Sequence, residues 1–382
     1  MKKIFTILIV LLLIFSNVVY GDSLDKGLRA VLLGEYETGE ILYSYNIDSP
    51  VEIASITKLM TYLVTMDMVS KGKVSLDDVI TIGEEPPKIG GSTFNLKKGE
   101  KIKLKTLLQS IIVASANDSC VAIAEYIAGS EKEFVKLMNK KAKEIGLKNY
   151  NFINSNGLPE GNEQNRMTVR DIFKLTRYIL DKYPQILDIS KMYKINVPFR
   201  DYVKENTNPL LREIDGVDGL KTGYTDKAGY CLVSTVRVPK TEDNDKSFRL
   251  IGIIMGASSE EERKNKSIGL IYHGIRNYVK NQILSKDEAI EKIHIENAKD
   301  PEVELFPVEN VYLLRRRDKN IKKEIVLNRE IRAPINKGEK LGKVTIYKDG
   351  NKIREVDLIV KRNVYRVDFW FYLRKILTQL VP

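Results

Sequence analysis

The sequence ASITKLMT, at residues 54–61, places a serine and a lysine three positions apart at the start of a predicted helix over residues 56–70. Residues three apart on a helix lie on one face, so Ser55 and Lys58 are within reach of each other. A serine hydroxyl needs a base to take its proton, and a lysine with a lowered pKa can be that base. On its own, however, Ser-x-x-Lys more often marks a helix-capping serine beside a solvated lysine.

Two further short sequences favour chemistry over capping. SAN at residues 115–117 separates two apolar helical stretches, and KTG at residues 221–223 precedes a strand-like segment. Ser-x-x-Lys, Ser-Asp-Asn and Lys-Thr-Gly, in this order, are the catalytic motifs of penicillin-binding proteins and class A β-lactamases. The order is kept here, with Ala116 where the middle motif has Asp. Together the three motifs predict a serine acyl-transfer site.

The chain resembles the low-molecular-mass penicillin-binding proteins that are serine-type D-alanyl-D-alanine carboxypeptidases. The resemblance rests on four stretches: ASITKLMT at 54–61, SANDSC at 115–120, NSNGLP at 154–159 and GVDGLKTG at 216–223. It covers residues 27–284, and the segments that follow match the family's layout. The family acylates its serine with the penultimate D-alanine of a peptidoglycan stem peptide, releases the terminal D-alanine and hydrolyses the acyl-enzyme. The implied partners are a stem peptide ending in D-Ala-D-Ala and, as covalent inhibitors, β-lactam antibiotics.

The resemblance also implies catalytic roles for residues at matching positions. Ser55 would be the nucleophile, Lys58 its general base, and Ser115 the residue that relays a proton to the leaving amine. Asn117 would orient Lys58 and the substrate amide. Which residue is the acylation base is disputed across this superfamily, and the sequence leaves the choice open.

Substrate-binding roles are implied in the same way for Asn117, Lys221, Thr222, Gly223, Tyr224 and Arg263. Lys221 would supply positive charge that lowers the proton affinity of Lys58 and attracts the substrate carboxylate. Thr222 would donate a hydrogen bond to that carboxylate.

Tyr224 and Arg263 differ from the other matching positions. Backbone N–H groups of Ser55 and Tyr224 would form the oxyanion hole, each donor contributing on the order of 10²–10³ in rate. Many relatives have histidine where Tyr224 stands, so a side-chain contribution to the pH dependence is in question. Arg263 matches, by position, an arginine near the substrate carboxylate, but in its charged surroundings it also fits a solvated helix residue.

The implied fold class is α/β: a penicillin-binding, serine β-lactamase-like domain in which a helical cluster packs against an antiparallel sheet. Hydrophobic patterns agree, since strands are predicted near both ends of this region and helices between them. The predicted strands are 29–33, 40–46, 229–238 and 248–256, and the predicted helices are 56–70, one or two within 104–127, 131–145, 168–180 and 267–283. Distant strands of this kind predict one sheet assembled from separate segments.

Beyond residue 285, short β-type runs separated by turns predict a small all-β domain. These runs lie at residues 293–295, 311–314, 321–327, 341–347 and 353–360. We therefore expect four parts: a signal peptide at 1–21, the catalytic domain at 22–284, the β-rich domain at 285–362 and an amphipathic helix at 363–382.

The N-terminus has the pattern of an export signal. Lys2 and Lys3 precede an apolar run at residues 4–15, and Gly21 offers a small residue for cleavage. The alternative is an uncleaved membrane anchor, but the run is short for a bilayer of about 30 Å. Export predicts that the protein acts outside the cytoplasm, which argues against a nucleic-acid partner.

The C-terminal segment predicts an amphipathic helix. Phe369, Leu373, Ile376 and Leu380 share one helical face, with basic residues largely opposite. Such a helix can pack on the protein's own core or lie in a membrane interface. We favour the interface, which would place the exported enzyme at the outer face of the cytoplasmic membrane and the cell wall.

Composition excludes several classes of site. The 382 residues contain 62 Lys and Arg against 51 Asp and Glu, a net charge of +11, but only two His and two Cys. A multi-histidine zinc site and a disulfide-stabilised scaffold are therefore improbable, and we expect no metal and no cofactor. Cys120 and Cys231 are expected to be buried thiols.

Three other functions were weighed. A class A β-lactamase needs a glutamate-held water, and Glu160 and Glu163, in a Gly- and Asn-rich loop, are not clear candidates for it. The extra β domain and terminal helix also argue against that enzyme. A D,D-endopeptidase would share all three motifs and stays open. A non-catalytic wall-binding protein is disfavoured because the motifs are intact.

Overall fold

The structure is a computed structural model that describes residues 23–380, with Arg374, Lys375, Gln379 and Leu380 described by their backbone only. The predicted signal peptide therefore lies outside the described residues. The chain divides into two compact units. The first comprises the residues up to Val236 together with Ile251–Ile271, and the second comprises Arg237–Leu250 and Tyr272–Pro382.

The described residues form both helices and strands. The α-helices are α1 (Lys58–Ser70), α2 (Leu104–Val113), α3 (Asn117–Ala128), α4 (Glu131–Glu144), α5 (Val169–Lys182), α6 (Ile186–Ser190), α7 (Glu260–Asn277) and α8 (Phe369–Leu380). The strands are β1 (Ala30–Glu35), β2 (Ile41–Tyr45), β3 (Val51–Glu52), β4 (Val79–Thr81), β5 (Lys101–Lys103), β6 (Tyr150–Asn151), β7 (Arg166–Met167), β8 (Lys194–Val197), β9 (Tyr202–Glu205), β10 (Val217–Thr225), β11 (Gly229–Val238), β12 (Phe248–Ala257), β13 (Tyr278–Leu284), β14 (Glu291–His294), β15 (Glu302–Pro307), β16 (Val311–Arg316), β17 (Ile321–Leu327), β18 (Lys340–Lys348) and β19 (Asn351–Ile359).

A five-stranded sheet organises the first unit, in the order β10-β11-β12-β1-β2, with β1 and β2 antiparallel and β10 and β11 antiparallel. Every residue of β1 is buried, which indicates cover on both faces of the sheet. On β12, Ile251, Ile253 and Met255 belong to the core formed with the helical cluster. The intervening Gly252 faces α7, because a Cβ there would lie 3.0 Å from Ile271. The predicted helical cluster on an antiparallel sheet is confirmed.

Helix α1 forms the centre of the helical cluster. All residues from Lys58 to Asp67 are buried. A helix that is buried on every side belongs to a protein core, and an isolated lysine there requires a specific reason. That lysine is Lys58, the last residue of the Ser-x-x-Lys motif.

The predicted helix over residues 267–283 is wrong at both ends. Helix α7 begins at Glu260, where the Ser259 hydroxyl accepts a hydrogen bond from Glu262 N at 3.0 Å. It ends at Asn277, and the β-prone residues that follow form β13, which pairs with β16. The acidic run at residues 260–262 suits a helix N-terminus and should have indicated the earlier start.

The second unit contains the predicted all-β region. Its main sheet has the order β14-β15-β19-β18-β17 and encloses an apolar core that includes Leu305, Val344, Ile346 and Leu358. The sequence analysis missed β13 and β15. In β15, charged residues alternate with Val303 and Leu305, so that strand lacks a continuous apolar run.

Helix α8 contains the positions of the predicted apolar stripe, and several of its large apolar side chains are exposed. Phe369 is 71% exposed, Trp370 67%, Ile376 54% and Leu377 52%. Packing of these four side chains on the protein's own core, the alternative considered above, is therefore wrong. No helix of residues 23–380 combines the length and apolar character needed to cross a membrane.

Candidate active site

The first motif begins in a 3₁₀ turn, Ala54–Thr57, that leads into α1. Ala54 has a φ of 46°, a conformation that costs a non-glycine residue about 1–3 kcal/mol and often marks a functional site. The NSNGLP stretch packs directly against this turn. A Cβ at Gly157 would lie 2.0 Å from Ala54 O, so only glycine permits the contact.

Lys58 is fully buried and has three oxygen partners. Its Nζ lies 2.8 Å from Ser55 Oγ, 2.7 Å from Asn117 Oδ1 and 2.6 Å from Asn156 O. Burial lowers the pKa of the Lys58 ammonium to about 8, although the neighbouring Cys120 and Asp118 oppose the shift. The alternative of a capping serine beside a solvated lysine is wrong, since Lys58 is 0% exposed and Ser55 makes no cap hydrogen bond.

The second motif connects α2 to α3. Ser115 lies between the helices with a φ of 59° and is buried. Asn117, the first residue of α3, is held from two directions: its Nδ2 donates to Gly90 O at 2.9 Å and its backbone N to Ser92 O at 2.7 Å. These contacts aim Asn117 Oδ1 at Lys58.

The third motif lies on the edge strand β10. Lys221 is buried, and its Nζ donates to Ser115 Oγ at 3.0 Å and to Thr222 O at 2.9 Å. Burial, reinforced by the positive charge of Lys58, holds the pKa of Lys221 well below its usual value. A Cβ at Gly223 would lie 3.2 Å from Ser55 N, so glycine lets β10 approach the backbone of the serine.

Most of the predicted site residues therefore come together. One hydrogen-bonded group contains Ser55, Lys58 and Asn117; the other joins Ser115 to Lys221, and the two lysines interact electrostatically. The site thus places the amine of Lys58, which is buried and has a lowered pKa, within hydrogen-bond distance of Ser55 Oγ. Such an arrangement can activate a serine for attack on an acyl carbon.

Tyr224 and Arg263 are not part of these two hydrogen-bonded groups, although the charge of Arg263 contributes to the lowered pKa of Lys221. Tyr224 is 49% exposed, stacks on Tyr230 with ring centroids 4.2 Å apart and donates to Asp226 Oδ1 at 2.9 Å. Arg263 is 6% exposed, with its guanidinium 5.7 Å from the Tyr230 ring centroid, and its Nε has no hydrogen-bond partner among the described residues. The solvated alternative for Arg263 is wrong, and burial lowers its pKa.

Two contributors to the site were not predicted from the sequence. Asn156 offers its main-chain oxygen to Lys58, a contact that no side-chain pattern reveals. Thr207 accepts a hydrogen bond from Thr222 at 2.6 Å. Its sequence neighbours, Asn206 and Asn208, carry no motif that could have singled it out.

The remaining expectations concern cysteines, metals and the glutamates. Cys120 and Cys231 are both free and buried, as expected. No group of three or more metal-ligating side chains occurs within residues 23–380. Glu160 and Glu163 are exposed, and Glu160 accepts a hydrogen bond from Asn154 Nδ2 at 3.0 Å.

Comparison with known proteins identifies the family. Residues 25–259 match the D-alanyl-D-alanine carboxypeptidase family, and residues 278–366 match the C-terminal domain of penicillin-binding protein 5. The chain belongs to the D-alanyl-D-alanine carboxypeptidase family. The expected enzyme class, a serine-type hydrolase of this kind, is confirmed.

Individual relatives span nearly the whole chain. D-alanyl-D-alanine carboxypeptidase DacF of Bacillus subtilis is 34% identical over 359 residues, covering 91% of this chain and 88% of the relative. DacC of Escherichia coli is 31% identical, covering 93% and 88%. The structure of penicillin binding protein 5 from Haemophilus influenzae aligns with a TM-score of 0.67 and 29% identity, covering 89% of this chain and 98% of that one.

Proposed function

We propose that this chain removes the terminal D-alanine from peptidoglycan stem pentapeptides through an acyl-enzyme on Ser55. The observation that carries the proposal is the environment of Lys58, which is fully buried with one serine and two carbonyl oxygens around its Nζ. A neutral amine has two N–H groups and one lone pair. The oxygens of Asn117 and Asn156 engage the two N–H groups, so the lone pair faces the Ser55 hydroxyl.

The reaction then follows in two stages. Ser55 Oγ attacks the carbonyl carbon of the penultimate D-alanine, and its proton passes to Lys58. The peptide C–N bond breaks as Ser115 passes its proton to the leaving amine and takes up in its place the proton that Lys58 received, which leaves Lys58 neutral again. The oxygen of Ser115 already accepts a hydrogen bond from Lys221. Water then hydrolyses the ester and regenerates Ser55. Each proton taken up is returned, so the enzyme is unchanged after one turnover.

The substrate's terminal carboxylate is assigned to the third motif. Lys221 supplies a cation, and Thr222, a residue that is 4% exposed in the free enzyme, supplies a hydroxyl. An approaching carboxylate stabilises the protonated form of Lys221, and that charge in turn keeps Lys58 neutral. Arg263 is buried, its Nε has no hydrogen-bond partner within residues 23–380, and it adds positive charge over the Tyr230 ring.

The direct test is D-alanine release from a soluble pentapeptide ending in D-Ala-D-Ala, with a cross-linked dimer of stem peptides assayed in parallel. We expect one D-alanine per pentapeptide and a tetrapeptide product that is not shortened further. Cleavage of the dimer with no release from the pentapeptide would contradict the proposal and favour the D,D-endopeptidase. Rapid turnover of penicillin with no peptide cleavage would favour a β-lactamase.

The rate of acylation should depend on the protonation of Lys58. Because its pKa is lowered to about 8, the neutral base is scarce at pH 6 and dominant above pH 9. The second-order rate constant for penicillin acylation should rise by about tenfold per pH unit below pH 7 and level off above the pKa. Stopped-flow fluorescence between pH 6 and pH 10 measures this profile. A flat profile from pH 6 to 9 would exclude a titrating lysine as the base.

We propose further that the protein is exported and that α8 holds it at an anionic membrane surface. The exposed aromatic and aliphatic side chains of α8 support this, as does the basic character of the tail. The helix can be removed without damaging the second unit only if the cut follows Asp368. Val364 is buried and exchanges backbone hydrogen bonds with Ile335, and Val367 N donates to Asn297 O.

A chain from residue 22 to Asp368 should therefore be soluble and fully active on a short peptide. Against vesicles rich in phosphatidylglycerol, residues 22–382 should co-sediment while the shortened chain stays in the supernatant. Burying the large apolar side chains of α8 contributes roughly 1.5–3 kcal/mol each. A matched control is the full-length chain with Trp370→Glu and Ile376→Glu. Equal sedimentation of all three proteins would refute the anchor.

A further inference from the structure

Thr207 lies beside the third motif without belonging to any motif. Its Oγ1 accepts a hydrogen bond from Thr222 Oγ1 at 2.6 Å. Thr222 is almost completely buried, and Thr207 is half-buried. No other hydrogen bond of the Thr222 hydroxyl is found among the described residues, so in the free enzyme Thr207 fixes where that hydroxyl points.

The backbone around Thr207 is held from three sides. Asn206 Nδ2 donates to Ser190 O, at the end of α6, at 3.0 Å and to Met192 O, just beyond that helix, at 2.8 Å. Asn208 Nδ2 donates to Gly219 O in β10 at 2.9 Å. Thr207 N donates to Val113 O, at the end of α2, at 3.2 Å. The Thr207 hydroxyl is therefore placed by the same elements that carry the second and third motifs.

We infer that Thr207 is a positioning residue for recognition of the substrate's terminal carboxylate, acting through Thr222. The inference rests on the proposed function, in which Thr222 donates to that carboxylate. A hydroxyl has one proton, and a carboxylate only accepts. When the carboxylate binds, Thr222 turns its proton to it, and Thr207 reverses direction and donates to Thr222 Oγ1. Only a residue that can both accept and donate can serve in both states.

The reversal strengthens the hydrogen bond that Thr222 donates to the substrate carboxylate. A hydrogen bond to a charged group is stronger than a neutral one, and a donor polarised by a second hydroxyl strengthens further. Losing Thr207 leaves Thr222 free to point away from the ligand and removes that polarisation. The effect should appear only with ligands that carry the carboxylate.

The test compares two covalent probes on Thr207→Val, Thr207→Ser and the wild-type enzyme. Penicillin carries a carboxylate; a phenylboronic acid without one bonds to the same serine oxygen. In Thr207→Val, the second-order rate constant for penicillin and kcat/KM for the pentapeptide should fall about tenfold, mostly through KM. Inhibition by the boronic acid should stay within about twofold. Thr207→Ser should restore both reactions.

The control is Thr176→Val, which removes a buried hydroxyl that donates to Ile172 O at 2.8 Å in α5, far from the motifs in sequence. It should leave the ratio of the two probes unchanged. An equal loss with both probes in Thr207→Val would mean a structural role only, and no loss with either would mean no role; each overturns the inference. A wild-type enzyme that reacts with neither penicillin nor peptide would instead overturn the proposed function.

Discussion

Ser55→Ala is expected to abolish D-alanine release and covalent penicillin binding while the fold stays intact. Within residues 23–380, Lys58 Nζ has three oxygen partners, and Ser55 Oγ is the one hydroxyl among them, since the other two are carbonyl oxygens. The variant therefore removes the oxygen that can act as a nucleophile. Loss of a catalytic serine typically costs about 10⁴-fold or more in kcat. Ser55 makes no cap hydrogen bond, so the free energy of unfolding should change by less than about 1 kcal/mol.

Labelling with a fluorescent penicillin, together with thermal unfolding, measures both halves of this prediction. Ser234→Ala is the matched control, because its buried hydroxyl donates to Gly252 O at 3.0 Å within the sheet and, among the described residues, makes no hydrogen bond to Ser55, Lys58 or Lys221. That control should label like the wild type. Covalent labelling of a folded Ser55→Ala protein would show that Ser55 is not the nucleophile.

Lys58→Arg should be nearly inactive, with acylation slowed by about 10³-fold or more. A guanidinium has a pKa above 12 and cannot take the serine proton, and its planar donors do not match three oxygens placed around a single nitrogen. The wild-type amine, with a pKa of about 8, is neutral in a useful fraction of molecules near neutral pH. The measurement is the second-order rate constant for penicillin acylation at pH 8.

Burying a permanent charge can also destabilise the protein, so a second variant separates the two effects. Lys58→Met keeps an unbranched chain without charge and should fold, yet acylate as slowly as Lys58→Arg. Lys141→Arg is the control, since Lys141 is 12% exposed and pairs with Asp67 outside the motifs. Substantial acylation by a folded Lys58→Met protein would exclude the lysine as the base.

The side chains that we propose to react could be singled out from the sequence because each lies in a short motif whose spacing is set by local structure. Ser55 and Lys58 are one helical turn apart, and Lys221 to Gly223 are consecutive on one strand. Their meeting across 166 positions, from residue 55 to residue 221, could be inferred only from the order of the motifs and from the family. Four of the five strands of the antiparallel sheet could be predicted, and β1 and β12 in particular are strongly apolar. The fifth, β10, was not predicted, because its glycines and polar residues interrupt the apolar pattern.

Other features of the site could not be predicted from the pattern of side chains in the sequence. The Asn156 carbonyl is a main-chain group, and its approach depends on the positive φ of Gly157. Ser115 has a left-handed backbone conformation that its residue type does not predict. Thr207 reaches Thr222 through tertiary contacts of two asparagines. Where helix α7 ends, β propensity and pairing with β16 decided the boundary rather than helical periodicity.

The burial of Arg263 is another feature that the sequence alone could not predict. In sequence, the charge run around Arg263 fits an exposed helix face equally well. In the fold, α7 turns that residue toward Tyr230, and its neighbour Lys264 pairs with Glu213 instead. Adjacent charges on one helix thus have different surroundings, which depend on the sheet that the helix covers.

Ser55, and not Ser115, is expected to become acylated. Peptide mapping by mass spectrometry after a brief reaction with penicillin tests this expectation most directly. We predict a single penicilloyl adduct, on the peptide containing Ser55, with Ser115 unmodified. An adduct on Ser115, or a folded and fully unmodified enzyme, would contradict the account.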